Sequence, residues 1–143
     1  MSIQNKAVMS RTCAEVWNGR NFAVADEVVA SDFVGHAPPD EIHGPDGYKA
    51  YFAGLRDAFP DLVFTIEEQI SEGDKVVTRW SATGTHRGEF SGIPPSNTEI
   101  AISGISIDRI SGGMSIECWT NLDQFGLLRQ LGMLPAPPAL QHV

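Results

Sequence analysis

The chain has 143 residues, 42% of them hydrophobic, enough for one sizeable core, since a chain of this length removes roughly 68% of its unfolded surface from water. Eighteen acidic residues against ten basic ones give a formal charge of −8, and no stretch gathers Lys or Arg into a phosphate-neutralising face, which argues against nucleic acid and anionic membrane as partners. No run of about 18 apolar residues offers a membrane span and the first residues lack a signal-peptide core, so a soluble, cytoplasmic protein is expected.

In chain order, Ile3, Ala7, Met9, Cys13, Ala14, Val16 and Trp17 form a helical stripe that predicts a first helix over residues 3–17, stopped at Asn18-Gly19 by a left-handed glycine. Asn21 is placed to cap a short second helix through Phe22, Val24, Val28 and Val29, and Ser31 to Val34 reads as a brief strand leading to His36 and two prolines. Pro45 opens a third helix, in which Tyr48, Tyr51, Phe52, Leu55 and Phe59 recur at spacings of three and four until Pro60 forbids continuation. His43 falls in the preceding loop.

From Leu62 the pattern turns to β. Residues 62–70, 76–83, 100–110 and 114–122 are rich in β-branched and aromatic residues, and Glu72-Gly73-Asp74 and Ser111-Gly112-Gly113 supply the turns. Between the second and third of these strands, Gly88 to Asn97 is a proline-broken excursion suited to closing one end of a cavity. A last helix, 124–133, carries Phe125, Leu127, Leu128 and Leu131. The expected organisation is one domain over 1–135 and a Pro-rich tail over 136–143. Its class is α+β, a curved and mostly antiparallel sheet closed by helices into a cone whose mouth leaves room for a small molecule. Cys13 and Cys118 lack any metal or redox spacing and read as small buried thiols; no metal site is expected.

Several strings in this order resemble the SnoaL-like polyketide cyclases, within the nuclear-transport-factor-like superfamily: Asp32-Phe33-Val34-Gly35-His36, Gly84 to Phe90, Gly92-Ile93-Pro94-Pro95, Glu117-Cys118-Trp119, and Asp123 followed by Gly126 to Gly132. The resemblance runs from about Val16 to Met133. It implies ring closure in a small hydrophobic polyketide by intramolecular aldol condensation, with an aspartate as acid and base, no metal or organic cofactor, and a homodimer or higher oligomer.

Aldol closure needs a base for a proton flanked by carbonyls, help for the resulting enolate, and a pocket that holds a reactive pose. Asp123 is the first candidate base: the resemblance places it at the family's acid/base aspartate, and period two puts it on one strand face with Trp119 and Asn121. It also stands where a helix N-cap belongs. His36 is the second candidate, a donor to a substrate carbonyl or a brace for its turn. Asp108 stands near the strand position where the family pairs a histidine with its aspartate; it raises a neighbour's pKa from there, or forms a surface pair with Arg109 beside the turn, the reading favoured here. Trp17, Tyr51, Trp80, His86, Trp119 and Asn121 are the expected substrate-binding residues, and Trp17, Tyr51 and Trp119 are expected to line one cavity. Three other readings stay open: an epoxide hydrolase using Asp108, Arg109 and Asp123, an isomerase with Asp40 as base, and a catalytically silent binding or dimerisation module.

Overall fold

The computed structural model describes residues 2–133; the Pro-rich tail expected at 136–143 lies outside them. The first helix, α1 (Ser2–Arg11), continues as a π-helical segment over Thr12–Asn18, and Met9, Cys13, Val16 and Trp17 point from this rod into the core. Asn18 ties its end to the sheet, donating to the Phe64 carbonyl at 2.9 Å and accepting from the Phe64 amide at 2.7 Å. The left-handed cap expected at Gly19 does not form: Gly19 has φ −78°, and Arg20 takes the positive value of 57°. What requires glycine there is space, because a Cβ would stand 2.8 Å from the carbonyl oxygens of Ala14 and Glu15.

A 3-10 turn (Phe22–Val24) leads into the single turn α2 (Ala25–Val28). The Asn21 side chain makes no cap; its backbone carbonyl accepts from the Val24 amide at 3.1 Å instead. Strand β1 (Val29–Ala37) is longer than expected and takes Val29 from the predicted helix. It pairs with a short edge strand, β2 (Asp40–His43), which the sequence reading treats as loop. Helix α3 (Gly44–Ala58) carries Pro45 in its first turn and stops before Pro60.

Strands β3 (Val63–Glu72), β4 (Lys75–Thr85), β5 (Glu99–Ser111) and β6 (Met114–Leu122) match the four predicted strands within two residues at each end. The sheet runs β2-β1-β6-β5-β4-β3, with β1 and β6 parallel and every other pair antiparallel. Register shifts at Val29/Val34, Ile66/Glu68 and Arg109/Ile110 bend it, as extra residues in a ladder do. The sheet stays open, with α1 packed against β3 and β4 and α3 against β1 and β2. Helix α4 (Gln124–Gln130) closes one end and is shorter than the predicted 124–133. The result is the expected α+β class.

Candidate functional site

Period two along the long strands decides which side chains meet the helices. On β5 the even positions Ile100, Ile102, Ser106 and Asp108 face inward, as do Trp80 on β4 and Cys118, Thr120 and Leu122 on β6. With Trp17 from the first helix, and Tyr48, Tyr51, Phe52 and Leu55 from α3, they enclose a cavity of about 200 Å³. Gly104 belongs to the same inward set, and its missing side chain makes room for the Trp80 indole, which lies against its Cα. Phe90 and Ser91, from the expected closing loop, reach the cavity as well, with Phe90 packed 5.4 Å from Phe59.

The walls are mainly aromatic. Phe52 lies nearly parallel to Trp17 at 5.8 Å, and Phe64 meets Trp80 at 5.5 Å. One polar track crosses this apolar surface. Trp80 Nε1 donates to Ser106 Oγ at 3.1 Å, Ser106 Oγ and Thr120 Oγ1 share a proton at 3.0 Å, and Thr120 Oγ1 lies 3.4 Å from Cys118 Sγ. Cys118 Sγ then donates to Asp108 Oδ1 at 3.5 Å, while Ser115 Oγ donates to Oδ2 at 2.8 Å. Because indole is only a donor and an ionised carboxylate only an acceptor, every proton between them is directed towards Asp108.

Asp108 is 2% exposed, so the favoured surface-pair reading is corrected: the carboxyl is buried in the cavity wall. Burial pushes it up from 3.8 to about 6, against the opposing pull of the Ser115 and Cys118 hydrogen bonds. Arg109, one residue on, points to the opposite face, lying 5.5 Å over the Trp119 ring and 3.4 Å from Glu117.

The other predicted site residues divide. Trp17, Tyr51 and Trp80 line the cavity. Trp119 and Asn121 do not: they occupy the odd positions of β6, whose even positions face inward. Asp123 shares their separation from the cavity. It is exposed, and its side chain accepts from the Gly126 amide at 2.9 Å, capping α4. His36 is itself among the residues lining the cavity, but its imidazole is taken by Glu117 at 2.8 Å and stacks 5.7 Å from Trp119, which does not line it. His86, expected to touch substrate, is fully buried away from the lining; its Nδ1 meets Ser96 Oγ at 2.9 Å and its ring packs 5.6 Å from Phe59, bracing the closing loop.

Among the cavity residues that the sequence does not single out are Tyr48, Ser106, Thr120 and, as more than an inert thiol, Cys118. For Tyr48 the signal is its place three and four residues before Tyr51 and Phe52 on one helical face. Trp17 Nε1 donates to its hydroxyl at 2.7 Å. Burial, and next the charge of Asp108, hold that phenol well above its ordinary pKa. Among the described residues, no group of three or more His, Cys, Asp or Glu side chains converges as a metal site, and no helix is long and apolar enough to cross a membrane.

A model of the SnoaL-like polyketide cyclase family matches residues 7–131. AclR from Streptomyces galilaeus, described as a candidate hydroxylase, is 26% identical with TM-score 0.86, over 99% of this chain and 94% of its own. A candidate polyketide cyclase from Acidithiobacillus ferrooxidans is 30% identical with TM-score 0.80, over 94% of this chain and 100% of its own. IdmH from Streptomyces antibioticus, also a candidate polyketide cyclase, is 28% identical with TM-score 0.80, over 90% and 99% of the two chains. No curated protein matches the chain. With the family model spanning most of its length and the same fold in these structures, the chain belongs to the SnoaL-like polyketide cyclase family.

Proposed function

We propose that the protein closes a ring in a small, largely apolar polyketide by intramolecular aldol condensation, with Asp108 as general acid and base and with neither metal nor organic cofactor. The observation that supports this reading is a buried carboxyl in the wall of an aromatic cavity, pushed up to about 6. At neutral pH such a group is mostly ionised yet more basic than an ordinary carboxylate, which suits removal of a proton flanked by two carbonyls.

Asp108 takes that proton, the carbon–hydrogen pair passes into the enolate, and the enolate carbon attacks a second carbonyl of the folded chain. The new alkoxide recovers the proton from Asp108, so the base is restored. Trp17, Tyr51, Phe52 and Trp80 provide flat walls that hold a conjugated chain in one pose. Asp123 and His36 serve the frame rather than the chemistry, the first as a helix cap and the second as a link to Glu117. The epoxide-hydrolase reading loses its constellation, because Asp108, Arg109 and Asp123 point three different ways. An isomerase built on Asp40 would place its base at the exposed rim. The outward sheet face, with Ile105 49% exposed beside the half-buried Trp119, is read as the seat of a second copy in a homodimer.

The test is turnover of a β-dicarbonyl polyketide ester, followed by chromatography and NMR of the ring-closed product across a pH series. The expected result is a rate that falls as pH drops below about 6, as the carboxylate is protonated. No product from a panel of such esters, or a rate flat across that range, defeats the reading.

A further inference from the structure

We propose that Tyr48 donates a hydrogen bond to the enolate oxygen, so that the cavity carries a base on its sheet wall and an oxyanion donor on its helical wall. The inference rests on Asp108 being the base, and adds a second catalytic residue from a different element.

Tyr48 is 6% exposed, and its ring is fixed by Phe33, edge-on at 5.6 Å, and by Phe52 at 4.9 Å. Its oxygen accepts from Trp17 Nε1 at 2.7 Å. Indole nitrogen can only donate, so this contact leaves the phenol proton uncommitted. Among the described residues no acceptor takes it. A buried hydroxyl proton without an acceptor is costly, and here it belongs to a cavity-lining side chain where a ligand oxygen would supply the missing partner. Donation from Trp17 also polarises the phenol and strengthens it as a donor, which makes Trp17 a positioning residue.

The hydroxyls of the polar track are already committed. The hydroxyl protons of Ser106 and Thr120 are directed along the track towards Asp108. Tyr51 is half-buried near Asp40, whose charge, after burial, raises its pKa. Burial and the charge of Asp108 keep Tyr48 protonated, so it acts by hydrogen bonding and keeps its proton. When Asp108 takes up the substrate proton its own charge disappears as negative charge arrives on the enolate oxygen, and the Tyr48 donor is then worth most.

The test uses the full chain carrying Asp108→Asn, which mimics the protonated base, and a nitro-substituted 2-naphthol as a planar enolate mimic, titrated by absorbance where it is ionised. Adding Tyr48→Phe should weaken naphtholate binding roughly 10- to 100-fold, while the non-ionising 2-methoxynaphthalene changes less than about threefold. Equal losses for both probes, no loss, or no naphtholate binding to Asp108→Asn would overturn the proposal. A second measurement needs no change at Tyr48: the chain has two tyrosines, so labelling tyrosine Cζ with carbon-13 gives two resonances, and Tyr51→Phe identifies the one from Tyr48. That resonance should move when naphtholate binds to Asp108→Asn, and a stationary one refutes the donor role. The two readings fail separately. An undiminished turnover in Asp108→Asn removes the base, whereas a naphtholate affinity indifferent to Tyr48 removes the donor.

Discussion

Replacing Asp108 with Asn should make the protein more stable above pH 6 relative to its stability near pH 4. In the folded chain the carboxyl rises from an ordinary 3.8 to about 6 because burial disfavours its charge. Well below pH 4 both the folded and unfolded states hold the proton, and burial exacts no charge penalty. Between pH 4 and 6 the unfolded chain has released a proton that the folded chain retains, so stability falls as pH rises through this window and levels off above it. At roughly 1.4 kcal/mol per tenfold, the loss comes to about 3 kcal/mol. Asn cannot ionise and escapes it, while any change in its hydrogen bonds to Ser115 and Cys118 is a constant offset. Urea unfolding of both proteins at half-unit steps from pH 4 to 7.5 isolates the effect, since other carboxylates cancel in the difference. A stability difference constant to within about 0.5 kcal/mol would mean that Asp108 is not held in a desolvated site.

Asp123→Ala should lose about 1 kcal/mol of stability and Asp123→Asn almost none, because the structural task is to accept the Gly126 amide; equal losses in thermal melts would contradict the cap. Gly104→Ala should cost roughly 1 to 3 kcal/mol, since a methyl group there collides with the Trp80 indole, and a wild-type urea midpoint would show that the indole moves freely. Ile105→Lys, on the outward face, should convert a dimer to a folded monomer by light scattering; a protein already monomeric, or a dimer unaffected by the charge, refutes that interface.

The sequence revealed elements better than faces. Pro45 and Pro60 bracket α3, and β-branched runs between glycine turns locate the four long strands, because those signals are local. The orientation of β6 depends on a choice between two alternating sets. Trp119 draws attention to the odd set, yet that set also holds Glu117 and Asn121, whereas Cys118, Thr120 and Leu122 carry no charge and turn inward. Composition favours the even set, and the large aromatic misleads. On β5 both sets contain isoleucines, so only pairing with β4 and β6 settles that Asp108 is inside and Arg109 outside. Asp123 fits a site and a cap equally well in sequence, and its fate depends on where the strand ends relative to the cavity. Edge strand β2 has only four residues, too few for an alternation to register.

Turnover of Asp108→Asn and Asp123→Asn, measured side by side on a β-dicarbonyl polyketide ester with folding checked on the same samples, decides whether the reactive carboxylate is the one inside the cavity. If it is, Asp108→Asn loses roughly 10² to 10⁴ in rate and Asp123→Asn stays within about threefold of wild type. A folded Asp108→Asn protein that keeps more than about a tenth of wild-type turnover, or an Asp123→Asn protein that loses a hundredfold or more, would contradict it.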